Sequence, residues 1–170
     1  MKAVFISVVE LKKKSIIDGA VDDAKIMQFI EIAQDKHVQN YIGSTLYRAL
    51  QNMIISDTIG DAANANYKTL IDTYIKPVLI HYSLVEYFPF AMFEISNAGA
   101  FKGRSDNAEG ASLEEMQKLA NSSRSTAEFY TKRLIDYLCD NENLFPEYDL
   151  QDENSDMHPD RDSGHIGWVL

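Results

Sequence analysis

Cysteine is nearly absent: Cys139 is alone among 170 residues. A single thiol closes no intramolecular disulfide, so nothing in the sequence calls for an oxidising compartment. Tryptophan is equally scarce, with Trp168 its one occurrence. No long uncharged hydrophobic run exists. The most apolar stretch, residues 77–95, contains His81, Glu86, Glu94 and two prolines, and a membrane span of that length should be almost free of charge. The first eleven residues are interrupted by Glu10 and followed by Lys12, Lys13 and Lys14, which does not suit a signal peptide. The Gly-x-Ser-x-Gly elbow, the Walker loop and the dinucleotide fingerprint are missing. Positive charge is also short, the net being −10. Residues 140–170 hold nine acidic side chains and one basic one, Arg161, so a nearly neutral body carries an acidic tail. Such a body has little electrostatic reason to grip nucleic acid, and such a tail repels it.

What remains is helical periodicity. Residues 3–9 are β-branched and apolar, and read as one short strand or an extended arm that needs a partner edge or another subunit. Residues 12–19 read as a loop. Asp22 and Asp23 are suitable caps for a helix whose apolar stripe is Ile26, Phe29, Ile30, Ala33 and His37. Gly43 fits its stop and Ser44 the cap of a second helix, packed at an angle, with Leu46, Tyr47, Leu50, Met53 and Ile54 on its face. Residues 67–96 form the longest apolar-periodic run and predict a central helix, kinked at Pro77 and kinked or broken at Pro89. Residues 97–111 read as a loop around Phe101. Ser112 and Glu115 make a capping box for a last helix carrying Met116, Leu119, Ala127, Tyr130, Leu134, Tyr137 and Leu138. Its polar middle, Ser122 to Thr126, faces another subunit or water.

The expected fold class is therefore all-α: a bundle of about four main helices with an extended N-terminal segment and an extended acidic C-terminal tail. The expected organisation is an arm and loop over 1–20, a helical domain over 21–142, and a tail over 143–170 ending in an apolar hook.

Candidate chemistry is thin. His158, Asp160, Asp162 and His165 cluster in sequence but match no zinc or EF-hand spacing, and a solvated acidic tail accounts for them. Glu86 and Glu94 suit an ion pair or an inter-subunit seam better than acid–base work. His37 and His81 read as buried, hydrogen-bonded histidines, and Cys139 as a small apolar-face residue. Lys102 and Arg104 are too few to mark a nucleic-acid site. The sequence thus predicts no catalytic residue, no metal and no cofactor. A small metal-dependent enzyme is the rival reading, and a helical adaptor or assembly protein outside a virion is another. The candidate functional residues are instead apolar ones suited to protein contact: Val4, Phe5, Ile6, Phe101, Phe145, Tyr148, Ile166, Trp168, Val169 and Leu170. Tryptophan is enriched at interface hot spots, so the hook suggests docking, on a partner or back on its own domain.

Several segments carry a family resemblance. They are Ser15-Ile-Ile-Asp-Gly-x-Val-Asp-Asp, Phe29-Ile-x-Ile-Ala-Gln-Asp, Asn40-Tyr-Ile-Gly-x-x-Leu-Tyr and Tyr67-Lys-x-Leu-Ile-Asp-x-Tyr-Ile-Lys-Pro. Val85-Glu-Tyr-x-Pro-Phe, Ile95-Ser-Asn-x-Gly, Tyr130-Thr-x-Arg-Leu-Ile-Asp-Tyr and Phe145-Pro-Glu-Tyr complete the set. In this order they resemble the head–tail connector (adaptor, or head-completion) proteins of Bacteroides tailed phages, including crAss-like phages, over roughly residues 15–148. The resemblance implies a non-enzymatic virion subunit, made in the bacterial host cytoplasm. It implies a homo-oligomeric ring, commonly of twelve, beneath the portal protein at the head–tail junction. Such a ring extends the DNA channel, touches passing double-stranded DNA without reading its sequence, and offers a platform to the next tail component.

Overall fold

A computed structural model describes residues 2–17, 19–91, 93–96, 99–102, 112–150 and 156–162, with backbone only in the 93–102 region apart from Phe93. The fold is an all-α bundle with four main helices. They are α2 (Asp23–Ala33), α3 (Gln39–Ile55), α5 (Lys76–Ala91) and α6 (Leu113–Asp140), joined by short α1 (Val8–Lys14) and α4 (Ala65–Thr69). The core runs between α5 and its neighbours, with Ile30, Ile42, Leu46, Leu50, Leu79 and Leu134 sealed from solvent. α5 packs most extensively on α6, and next on α2.

The N-terminal segment is non-helical only as far as Ser7; over Val8–Lys14 a helix replaces the expected end of the arm and start of a loop. Ser7 accepts the amide of Glu10 at 3.2 Å and caps α1, which Glu10 and Lys14 support as an i,i+4 ion pair at 2.8 Å. Val8 and Leu11 turn inward, so the segment closes over its own core. The backbone ahead of α1 finds its partner in a side chain. Gln34, fully buried, accepts from the amide of Phe5 at 2.8 Å and donates to the carbonyl of Ala3 at 2.9 Å. It thus acts as a strand edge one residue long.

Asp22 caps α2 as expected, accepting the amides of Ala24 and Lys25. α2 continues through a π-helical turn, Gln34–Val38, into α3. That rod breaks at Gly43, where φ 75° and ψ 160° lie in a region open to glycine alone. Ser44 and Asn40 would be ladder partners across an unbroken helix. Here the Ser44 amide donates to the carbonyl of Met157 at 2.8 Å, and the Asn40 carbonyl accepts from the amide of Asp160 at 2.9 Å. Residues 156–162 therefore form a strap that fills the break.

A second π-helical turn, Leu70–Ile75, joins α4 to α5. Pro77 lacks an amide proton and would crowd the carbonyl of Thr73; the wider turn just ahead of it takes up the expected kink. Pro89 sits in the last turn of α5, which ends at Ala91, not at Ser96. An antiparallel hairpin follows, β1 (Phe93–Ser96) and β2 (Gly99–Lys102), pairing Phe93 with Lys102 and Ser96 with Gly99. The hairpin corrects both the long helix and the loop around Phe101, because Phe-Glu-Ile-Ser after a proline-ended helix suits an extended conformation. The capping box at Ser112 and Glu115 is present in full.

Candidate functional site

The structure divides the predicted contact residues into four groups. Phe5, Ile6, Phe145 and Tyr148 are buried in the chain's own core, a correction to their reading as interface residues. The ring of Phe145 meets Tyr67 edge-on at 5.4 Å, and the hydroxyl of Tyr67 donates to the Glu147 carboxylate at 2.8 Å. The Arg161 guanidinium lies 5.2 Å over the ring of Tyr148 while pairing with Glu142 at 2.7 Å. The described residues after α6, 141–150 and 156–162, thus fold against the bundle. Val4 is half-buried at the edge of a small pocket shared with Ile54, Ile59 and Ile71. Phe101 is a backbone partner of Glu94 in the hairpin. Ile166, Trp168, Val169 and Leu170 lie outside the described residues.

Apolar side chains do stand in the open, some of them, such as Phe90 and Leu119, at positions within the apolar-periodic runs. Between α2 and the end of α5 lies a groove of about 330 Å³ lined by Phe29, Ile32, Tyr87, Phe90 and Phe93, with Lys25 and Gln28 on its rim. Phe90 is 54% exposed and Phe93 36%. Phe29 stands against both Tyr87 (5.5 Å) and Phe90 (5.6 Å), an aromatic cluster within the groove. Along α6, Phe129 is 61% and Leu119 42% exposed. Leu119 also edges a cleft containing Lys13, Lys14, His81, Ser122, Ser123 and Thr126. Phe129 was legible as an outlier, since it falls off the Ala127, Leu134, Leu138 stripe.

The titratable groups are mostly tied up. Glu86 accepts from Lys36 at 2.9 Å and from Nε2 of His37 at 2.8 Å, as the ion-pair reading expects. Burial opposes its charge, but hydrogen bonds from His37 and Lys36 outweigh that and hold its carboxyl below the usual range. The His37 ring lies flat on Tyr82 at 3.8 Å, and burial pushes its pKa down against the pull of Glu86. Near neutral pH this favours the uncharged ring, whose Nε2–H donates to the Glu86 carboxylate. His81 stacks on Tyr130 at 5.6 Å, and its Nδ1 is buried without a partner in the described structure. The side chain of Glu94, the other member of the predicted carboxylate pair, lies outside the described residues. Among the described residues no three His, Cys, Asp or Glu side chains are placed to share a metal ion. Of the tail cluster, Asp160 accepts from Asn40 at 3.3 Å, and His165 lies outside the described residues. Cys139 is a half-buried free thiol. Among the described residues no helix is long and apolar enough to cross a membrane.

The profile of a family of unknown function, DUF6712, matches residues 38–157. The chain belongs to the DUF6712 family. The DUF6712 match opens one residue ahead of α3 and closes on Met157, so it contains both the break at Gly43 and the first strap residue that fills it. No curated protein and no solved structure matches the chain.

Proposed function

We propose that this DUF6712 protein is a non-enzymatic head–tail connector subunit of a tailed phage. In this reading it forms a ring, commonly of twelve copies, beneath the portal protein. The ring continues the DNA channel and receives the next tail component. The family-like segments over residues 15–148 support this assignment. So does one structural observation, which carries most weight: large apolar side chains stand exposed on different elements of the bundle, among them Phe90 at the end of α5, Phe93 in β1, and Leu119 and Phe129 along α6. A ring subunit contacts its two neighbours through different surfaces, and such head-to-tail contacts close when the rotation closes. The excess of acid in the tail favours passage of DNA over retention.

Mass spectrometry of purified virions and cryo-EM of the portal vertex test the proposal. The expected result is the chain present in a fixed ratio to portal protein, as a ring below it. Absence from mature particles overturns the assignment.

A further inference from the structure

We propose that the cleft where the end of α1 meets α5 and the middle of α6 binds an organic phosphate, a phosphoryl group carried on a small apolar body. The cleft holds about 610 Å³, within the roughly 300–1,000 Å³ of small-molecule sites. Its lining is divided. Ile16, Leu84 and Leu119 are apolar, and Ile16 is 70% exposed. Lys13, Lys14, His81, Ser122 and Ser123 are polar, and no acidic side chain is among the described residues that line the cleft. Ser122 and Ser123 belong to the polar stretch that dilutes the apolar stripe of α6.

These donors are largely uncommitted. Nδ1 of His81 is buried without a partner among the described residues, although protein interiors satisfy nearly all such atoms. Hydroxyls inside a helix can bond back to the carbonyl four residues earlier. Ser83 does so to Leu79 at 2.7 Å, and Thr126 to Ser122 at 3.1 Å. The hydroxyls of Ser122 and Ser123 make no hydrogen bond among the described residues. Lys13 makes no ion pair among them, while Lys14 shares Glu10 at 2.8 Å.

The donor set selects the ligand. An ammonium, two hydroxyls and an imidazole N–H suit the three acceptor oxygens of a phosphate monoester better than the two of a carboxylate. Burial lowers the His81 pKa, and the uncharged ring meets an anion by carrying its proton on Nδ1. The chain as a whole repels anions, its net charge being −10, so saturable uptake of one has to be local. Nothing here depends on the connector assignment.

Isothermal titration of the full chain with phenyl phosphate tests the proposal, with inorganic phosphate, benzoate and phenol as comparison ligands. Saturable binding is expected, tighter for phenyl phosphate than for any of the three. Lys13→Gln and Ser123→Ala should each weaken it about fivefold. Neither position is buried, so both variants should fold, and an unchanged circular-dichroism melt checks this. A second reading needs no variant in the cleft: the ring-nitrogen resonances of His81 should move on saturation with phenyl phosphate and stay still with phenol. No saturable binding, a comparison ligand bound as tightly, affinity indifferent to both substitutions, or unmoved His81 resonances each overturn the proposal.

Discussion

Gln34 shows how one side chain can set a local structure. It is a polar residue with no exposure, and its amide also donates to the hydroxyl of Tyr47 at 3.0 Å. Replacing it with leucine keeps the volume but strands the Phe5 amide, while the Ala3 carbonyl keeps its bond from Gln51 at 3.2 Å. One orphaned buried donor and two lost hydrogen bonds cost about 2–4 kcal/mol together. Urea denaturation should show a lower midpoint at unchanged slope for Gln34→Leu. His37 and Glu86 make a second residue-scale prediction. Both have folded pKa values below their ordinary ones, so the unfolded chain takes up protons first as pH falls. Stability from His37 is complete above its ordinary value of 6.5 and is lost as pH falls through its folded value. Glu86 does the same below its ordinary 4.5. Denaturation midpoints should therefore decline from about pH 6.5 downward, and His37→Gln should flatten the upper part of that decline.

At the scale of elements, the break in α3 and its strap act together. A Cβ at Gly43 would lie 2.8 Å from Cδ of Pro159, and φ 75° is strained for any L side chain. Gly43→Ala should cost roughly 1–3 kcal/mol in backbone strain alone, and it should push the strap off. Hydrogen exchange reads this directly: the amides of Ser44 and Asp160 lose protection while those of α5 keep it. Asp156 should loosen the same strap in acid. A hydrogen bond from Ser44 leads the effects that lower its pKa, aided by Arg48 at 2.5 Å, so its hold is present above its ordinary 3.8 and is lost as pH falls through its folded value. The break itself was legible, because a glycine followed by a capping serine signals a stop and a restart. The strap was not. It is a long-range pairing of backbone groups, and neither periodicity nor composition encodes which distant segment supplies them. The four main helices were legible for the opposite reason, since each has its own apolar periodicity, and α2 and α6 also have local caps at Asp22 and Ser112. The short α1 was missed because Val8 and Val9 favour strand locally, and burial of Val8 and Leu11 against the bundle decided otherwise.

At the scale of the whole molecule, periodicity located the core but not the contact surfaces. Phe90 continues the apolar run of α5 and Leu119 the stripe of α6, yet they are 54% and 42% exposed, beside a groove against α2 and a cleft against α1 and α5. Which side chains stay uncovered is a property of the assembled bundle. This yields a prediction that separates folding from assembly. Glutamate at Leu119 and Phe129 replaces side chains already 42% and 61% exposed, so the double variant should stay within about 0.5 kcal/mol per site of the parent in denaturation. If the outer face of α6 is a subunit contact, a buried aromatic there contributes about 2 kcal/mol or more. That is roughly a thirty-fold loss of affinity per contact, repeated at every joint of a ring. The double variant should melt like the parent, yet fail to decorate portal particles in negative-stain images and fail to restore infectivity. A parent-like melt with normal decoration would remove the α6 face from the assembly surface, leaving the α2–α5 side to carry it.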